Sequence, residues 1–175
     1  MELAELMKDI GQNTMPHFLI FFGEEQKIID MYIKHIQNNF KPVYADSVAS
    51  VVGALSRKSL DKSNKVYIVT EDNDFQKAET KWEQVRKQFE KSNHILILRY
   101  STLNKKLKFY TQNRANSVEF VHLQPEILTN YIQKDINLSD ENCAKLISMC
   151  GNDYGRILLE VDKIKHLIQV RMKGV

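Results

Sequence analysis

Binding a nucleoside triphosphate takes a glycine-rich turn between a strand and a helix, a lysine for the terminal phosphates and a hydroxyl for magnesium, ordered G-x-x-x-x-G-K-[ST]. The stretch with the right shape is His17-Phe18-Leu19-Ile20-Phe21-Phe22-Gly23-Glu24-Glu25-Gln26-Lys27-Ile28-Ile29. Phe18 to Phe22 are consecutive aromatic and aliphatic residues, the pattern of a strand buried on both faces. Gly23 closes it, and Ile28, Ile29, Tyr32, Ile33 and Ile36 then recur at helical spacing. Strand, glycine and helix make a place for a phosphate, but its chemistry is missing. The chain offers one glycine, then Glu24 and Glu25, which read as the first turn of the helix; there they suit the helix dipole and would repel an anion. The expectation is a nucleotide-site shape with no bound nucleotide, no cofactor and no catalysis.

Other residues with chemical potential point the same way. Val69-Thr70-Glu71-Asp72-Asn73-Asp74 follows an apolar run whose carboxyl end is where a nucleotide hydrolase keeps a magnesium-binding carboxylate. Without the lysine and glycines, the simpler reading is a polar loop with a helix cap. His17, His35, His94, His122 and His166 are scattered, with no neighbouring carboxylate at ligand spacing, so none is assigned a role and no metal is expected. Cys143 and Cys150 are seven apart on one expected helix, too distant to pair and too few for a metal, and read as small buried residues in a reducing compartment. Ser56-Arg57-Lys58 reads as a solvated basic turn.

The one local charge feature is Arg99 to Arg114, which holds Arg99, Lys105, Lys106, Lys108 and Arg114 with Tyr100, Phe109 and Tyr110 between them and no acid. Cations neutralise phosphates and aromatic rings stack on bases, so this segment is the candidate DNA contact. The alternative is that Leu103, Leu107 and Tyr110 face a core while the lysines are solvated. Globally, 25 Lys and Arg against 22 Asp and Glu leave a net charge of only +3, so total charge does not mark a nucleic-acid binder.

These residues must be positioned by elements that the hydrophobic pattern outlines. Leu3, Leu6, Met7 and Ile10 form one face of an opening helix that Gly11 and Asn13 can end. After the first strand and its helix come a strand at Pro42 to Ala45, a helix carrying Val48, Val51, Val52 and Leu55, and a strand at Val66 to Val69. Trp82, Val85 and Phe89 mark the buried side of the next helix. Ile95 to Leu98 and Val118 to Val121 are further strands, with a helix near Leu103 to Tyr110 between them. Strands alternating with helices imply crossovers and a mostly parallel sheet, an α/β domain over residues 1–123. From Pro125 the pattern becomes three helical stripes: Ile127, Leu128, Tyr131 and Ile132; Cys143, Ile147 and Cys150; and Ile157, Val161, Ile164 and Ile168. Residues 124–175 thus read as a small helical lid domain able to shift against the sheet domain. The amino terminus lacks a basic, then apolar, leader pattern and no segment is long enough to span a bilayer, so a cytoplasmic protein is expected.

An α/β nucleotide-type domain followed by a three-helix lid is the layout of AAA+ proteins. In detail the chain resembles the delta subunit of the bacterial DNA polymerase III clamp loader. The likeness runs from about Phe18 to about Leu167 and rests on Phe18-Leu19-Ile20-Phe21-Phe22-Gly23-Glu24-Glu25, on Ile95 to Leu98 with Asn104-Lys105-Lys106-Leu107-Lys108-Phe109-Tyr110, and on Gly151-Asn152-Asp153-Tyr154-Gly155-Arg156-Ile157. The resemblance implies a protein that is not an ATPase and that binds a sliding clamp and helps to open it, beside other clamp-loader subunits. It also implies a helical collar domain for which no residues remain before Val175, as in a fragment or a shortened relative. The family's clamp-contacting pair, a Leu followed by a large apolar residue, falls by position on Leu60 and Asp61. Leu60 fits, whereas a carboxylate at Asp61 would oppose burial in an apolar clamp pocket. Leu55 is the other candidate anchor, or else a core residue of its own helix.

Overall fold

A computed structural model of the chain describes residues 1–56 and 63–173. Five strands, β1 (Phe18–Phe22), β2 (Lys41–Ala45), β3 (Lys65–Thr70), β4 (Ile95–Tyr100) and β5 (Ser117–Glu119), form one sheet in the order β2-β3-β4-β1-β5. Every pairing is parallel, with Phe18 opposite Leu96, Tyr67 opposite Leu96, Val43 opposite Tyr67 and Ile20 opposite Ser117. Helices α1 (Leu3–Gln12), α2 (Gln26–Gln37), α3 (Val48–Leu55), α4 (Asn73–Lys77), α5 (Glu79–Glu90) and α6 (Lys108–Gln112) accompany the sheet. The mostly parallel α/β sheet flanked by helices expected from the alternating pattern is the one observed.

The chain divides into two compact units. The first comprises Met1–Gly23 with Ile29–Phe120, and the second Glu24–Ile28 with Val121–Val175. In the first, Phe18, Ile20 and Phe22 of β1 join Leu96, Leu98 and Tyr100 of β4 in a core closed by Val48 and Val51 of α3, Trp82, Val85 and Phe89 of α5 and Phe109 of α6. The alternate residues Leu19, Phe21 and Ile97 are also fully buried, as a sheet covered on both faces requires. Alpha-helix α2 lies on that side: Tyr32 packs edge-on against Phe120 at 5.3 Å, and Phe120 against Phe21 at 5.2 Å.

The second unit holds α7 (Pro125–Asp135), α8 (Asp140–Met149) and α9 (Tyr154–Lys173). Pro125 stands in the first turn of α7, and Ser139 caps α8 by accepting the Asn142 N–H. Gly151 and Asn152 take positive φ between α8 and α9. Leu128, Ile132, Cys143, Ile147, Cys150, Ile157 and Val161 make this unit's core, with Ile28 packed against it. Among the described residues no helix is long and apolar enough to cross a membrane.

Four local expectations need correction. Glu24 and Glu25 precede α2, which has no acidic residue in its first turn. The short helix α4 occupies residues read as loop, and α6 is confined to Lys108–Gln112. Strand β5 begins at Ser117 and ends at Glu119.

Candidate functional site

Beta-strand β1 ends at the one glycine of the phosphate-loop position. Gly23 has φ +129, a conformation costly for any side chain, and a Cβ there would collide with the backbone of Phe120. Its N–H donates to the Tyr100 carbonyl at 3.3 Å, so the turn is fixed by β4 rather than opened around a ligand.

Glu25 follows, and it is only 2% exposed. Its Oε1 accepts the backbone N–H of Tyr154, the first residue of α9, at 3.2 Å, and lies 2.8 Å from Nδ1 of His122. The other imidazole nitrogen, Nε2, lies 3.0 Å from Oε2 of the exposed Glu24. His122 thus has a carboxylate oxygen within hydrogen-bond distance of each ring nitrogen. Glu25 Oε2 is buried without a hydrogen-bond partner. The Glu25 carboxylate thus faces the amino terminus of α9, the positive end of that helix. Tyr154 adjoins it; burial first, then the charges of Tyr131, Asp135 and Glu25, pushes its phenol up from the ordinary value. Sequence spacing gives His122 no role, because its partner Glu25 lies 97 residues away in the chain.

At the carboxyl end of β3, Asp72 caps helices. Oδ1 accepts the Phe75 N–H at 2.8 Å and Oδ2 the Val48 N–H at 2.7 Å, so both oxygens are committed. Glu71, in a left-handed conformation with φ 56, accepts the Ser101 N–H at 2.6 Å. Among the described residues no group of three or more His, Cys, Asp or Glu is arranged to hold a metal ion.

The basic segment meets acids from other parts of the chain. Arg99 pairs with Asp30 at 2.6 Å, Lys105 with Glu119 at 2.5 Å and Lys108 with Glu79 at 3.2 Å. Lys106 and Arg114 are exposed. Tyr100 and Phe109 are buried in the sheet core, and Tyr110 packs edge-on against Phe22 at 5.7 Å. Leu55 is partly buried against that core, while Leu60 and Asp61 lie outside the described residues.

Neither a protein-family model nor a curated protein matches the chain. Solved structures do. The chain is similar to the DNA clamp loader delta protein of Bacillus subtilis, with a TM-score of 0.58 and 12% identity over 94% of this chain and 57% of that one. It is similar to a point variant of Thermotoga maritima RuvB, with a TM-score of 0.58 and 10% identity over 97% of this chain and 61% of that one. A Walker-type ATPase of Pyrococcus abyssi gives a TM-score of 0.55 and 9% identity over 97% and 73% of the two chains. The chain thus spans 57% and 61% of the length of the first two. At these identities the likeness establishes the fold, an AAA+-like parallel α/β sheet with flanking helices.

Proposed function

We propose that this chain is a non-catalytic, clamp-loader delta-like protein that serves DNA replication by protein–protein contact. Its partner is a sliding clamp, in the company of other clamp-loader subunits. The observation that supports the non-catalytic part is the turn after β1: Gly23 is its one glycine, its N–H is bonded to the Tyr100 carbonyl, and the two carboxylates that follow, Glu24 and Glu25, would repel a phosphate. The likeness in fold to a clamp loader delta protein supports the choice of partner. Contact is assigned to Leu60, with Asp61 beside it weakening the apolar surface that a clamp pocket would bury.

Size-exclusion mixing of the full chain with its host's sliding clamp tests the reading, followed by calorimetry for affinity. A 1:1 peak that persists at high salt supports it, because an apolar anchor is insensitive to screening. Absence of a complex at micromolar concentrations sinks it. Titration with ATP should show no specific binding below about millimolar, a level that already corresponds to roughly 4 kcal/mol.

A further inference from the structure

The surroundings of Glu25 are those of a receptor for an oxyanion. Helix α9 runs from Tyr154 to Lys173, and its first turn presents backbone N–H groups with no partner inside the helix. Asp153 takes one of them, from Arg156, at 2.8 Å. The Tyr154 N–H and His122 Nδ1 converge instead on Glu25 Oε1. Oε2 is buried beside it and unpartnered, so the carboxylate fills a hollow that is closed to water. A helix amino terminus, a backbone N–H and an imidazole are what bind a small carboxylate or phosphate from solution.

We propose that the α9 amino terminus and His122 form an oxyanion site that the chain occupies in cis with the Glu25 carboxylate. Glu25 thereby holds residues 24–28 within the helical unit, with no nucleotide needed. Two further contacts fit this role. Ile28 packs against the core of α7, α8 and α9, and Gly155 leaves room for Lys27, whose Cβ lies 3.2 Å from where a Cβ of residue 155 would be. Because the carboxylate is tethered to the site by its own chain, its effective concentration there is far above that of a free anion, and external anions do not displace it. The inference concerns the chain's own anion and stands whether or not a clamp is the partner.

Glu25→Ala removes the atoms of one acetate ion, so acetate is the probe. Melting temperatures of the full chain, wild type and Glu25→Ala, are compared in sodium acetate and sodium chloride of equal ionic strength at neutral pH. Glu25→Ala should melt lower than wild type, and acetate should raise its melting temperature above the chloride value by about 2–4 °C, while wild type responds equally to both salts. Adding His122→Phe should abolish the acetate effect. Equal responses of Glu25→Ala to acetate and chloride, or an acetate effect that survives loss of His122, overturn the proposal. Should Glu25→Ala fail to fold, Glu25→Gln keeps the shape without the charge. Hydrogen exchange at the Tyr154 amide and across residues 24–28 should then quicken at least several-fold, and unchanged exchange overturns the proposal.

Discussion

The Asp72 carboxylate accepts the backbone N–H of Val48 at 2.7 Å, a buried bond across 24 residues of chain. Its second oxygen takes the Phe75 N–H at 2.8 Å, and its carbonyl accepts the Tyr100 hydroxyl at 3.0 Å. One side chain therefore sets the starts of α3 and α4 at the carboxyl edge of the sheet. Asp72→Ala should cost roughly 2–4 kcal/mol, since two buried donors lose a charged acceptor. Asp72→Asn, with one acceptor left, should cost about half as much. Urea unfolding measures both, and a loss below about 1 kcal/mol for the alanine variant would mean water replaces the carboxylate.

How far the sequence foretold this arrangement depends on the range of each interaction. Strand β1 was legible residue by residue because Phe18 to Phe22 are all buried and any polar residue there would have interrupted the run. A helix cap within Val69 to Asp74 was legible because an Asx cap acts over three residues; the structure shows it to be Asp72, through its bond to Phe75. Its bond to Val48 was not. Glu25 shows the other limit: the sequence pattern puts it in the first turn of α2, whereas it precedes that helix and its carboxylate accepts the N–H of Tyr154 at the start of α9. Nothing local links residue 25 to residue 154, nor Glu24–Ile28 to the helical unit to which they belong. The basic segment was misleading for the same reason, because Asp30, Glu79 and Glu119 lie outside Arg99 to Arg114 or past its end.

Gly23 should tolerate no side chain. Its φ of +129 and the Phe120 backbone beside it oppose even a methyl group, so Gly23→Ala should destabilise by roughly 3 kcal/mol or more. Gly11 and Gly53 lie inside α1 and α3 with open space where a Cβ would stand. Alanine at either should stabilise by about 0.5–1 kcal/mol. Thermal melts of the three variants check the contrast, and equal effects at positions 23 and 53 would contradict it.

DNA binding through Arg99 to Arg114 should be weak. Three of its five cations already face carboxylates, which leaves Lys106 and Arg114 as those without a carboxylate partner among the described residues. Two phosphate contacts give a salt slope of about −2 in a logarithmic plot of affinity against salt. A gel-shift series should show binding only at low salt and none after Lys106→Ala with Arg114→Ala. A slope near about −5 would mean that the internal ion pairs open on DNA.

Stability should fall on the alkaline side. Burial first, then the nearby charges of Asp72 and Glu71, pushes the Tyr100 phenol well above its ordinary value in the folded chain. An unfolded tyrosine titrates near about 10, so the folded state holds its proton where the unfolded state has lost it. The contribution is complete below about pH 10 and is lost as pH rises toward the raised folded value, at up to about 1.4 kcal/mol per pH unit. Burial raises the thiols of Cys143 and Cys150 in the same direction, which starts the decline earlier. Urea midpoints from about pH 7 to about pH 11 measure the slope. Tyr100→Phe should flatten it above about pH 10 while lowering stability at neutral pH through loss of the bond to Asp72; an unchanged slope would count against the assignment.

Leu55 and Leu60 separate by what each does when truncated. Leu55 is partly buried against the core shared by α3, α5 and the sheet, so Leu55→Ala should lower stability by about 1–3 kcal/mol and leave clamp affinity alone. Leu60 is flanked by Ser59, Asp61, Lys62 and Ser63, polar company for a core residue, and is the proposed anchor. Leu60→Ala should leave the melting temperature nearly unchanged and weaken clamp binding by about 1–3 kcal/mol, because a central apolar anchor contributes most of the energy of a small contact. Asp61→Phe should tighten the complex by removing a carboxylate that must lose its water and by adding apolar area. Melting curves and clamp titrations on the three variants decide the matter. If Leu55→Ala weakens the clamp complex without lowering the melting temperature, Leu55 is the anchor; if neither Leu60→Ala nor Asp61→Phe moves the affinity, the contact does not lie at this segment.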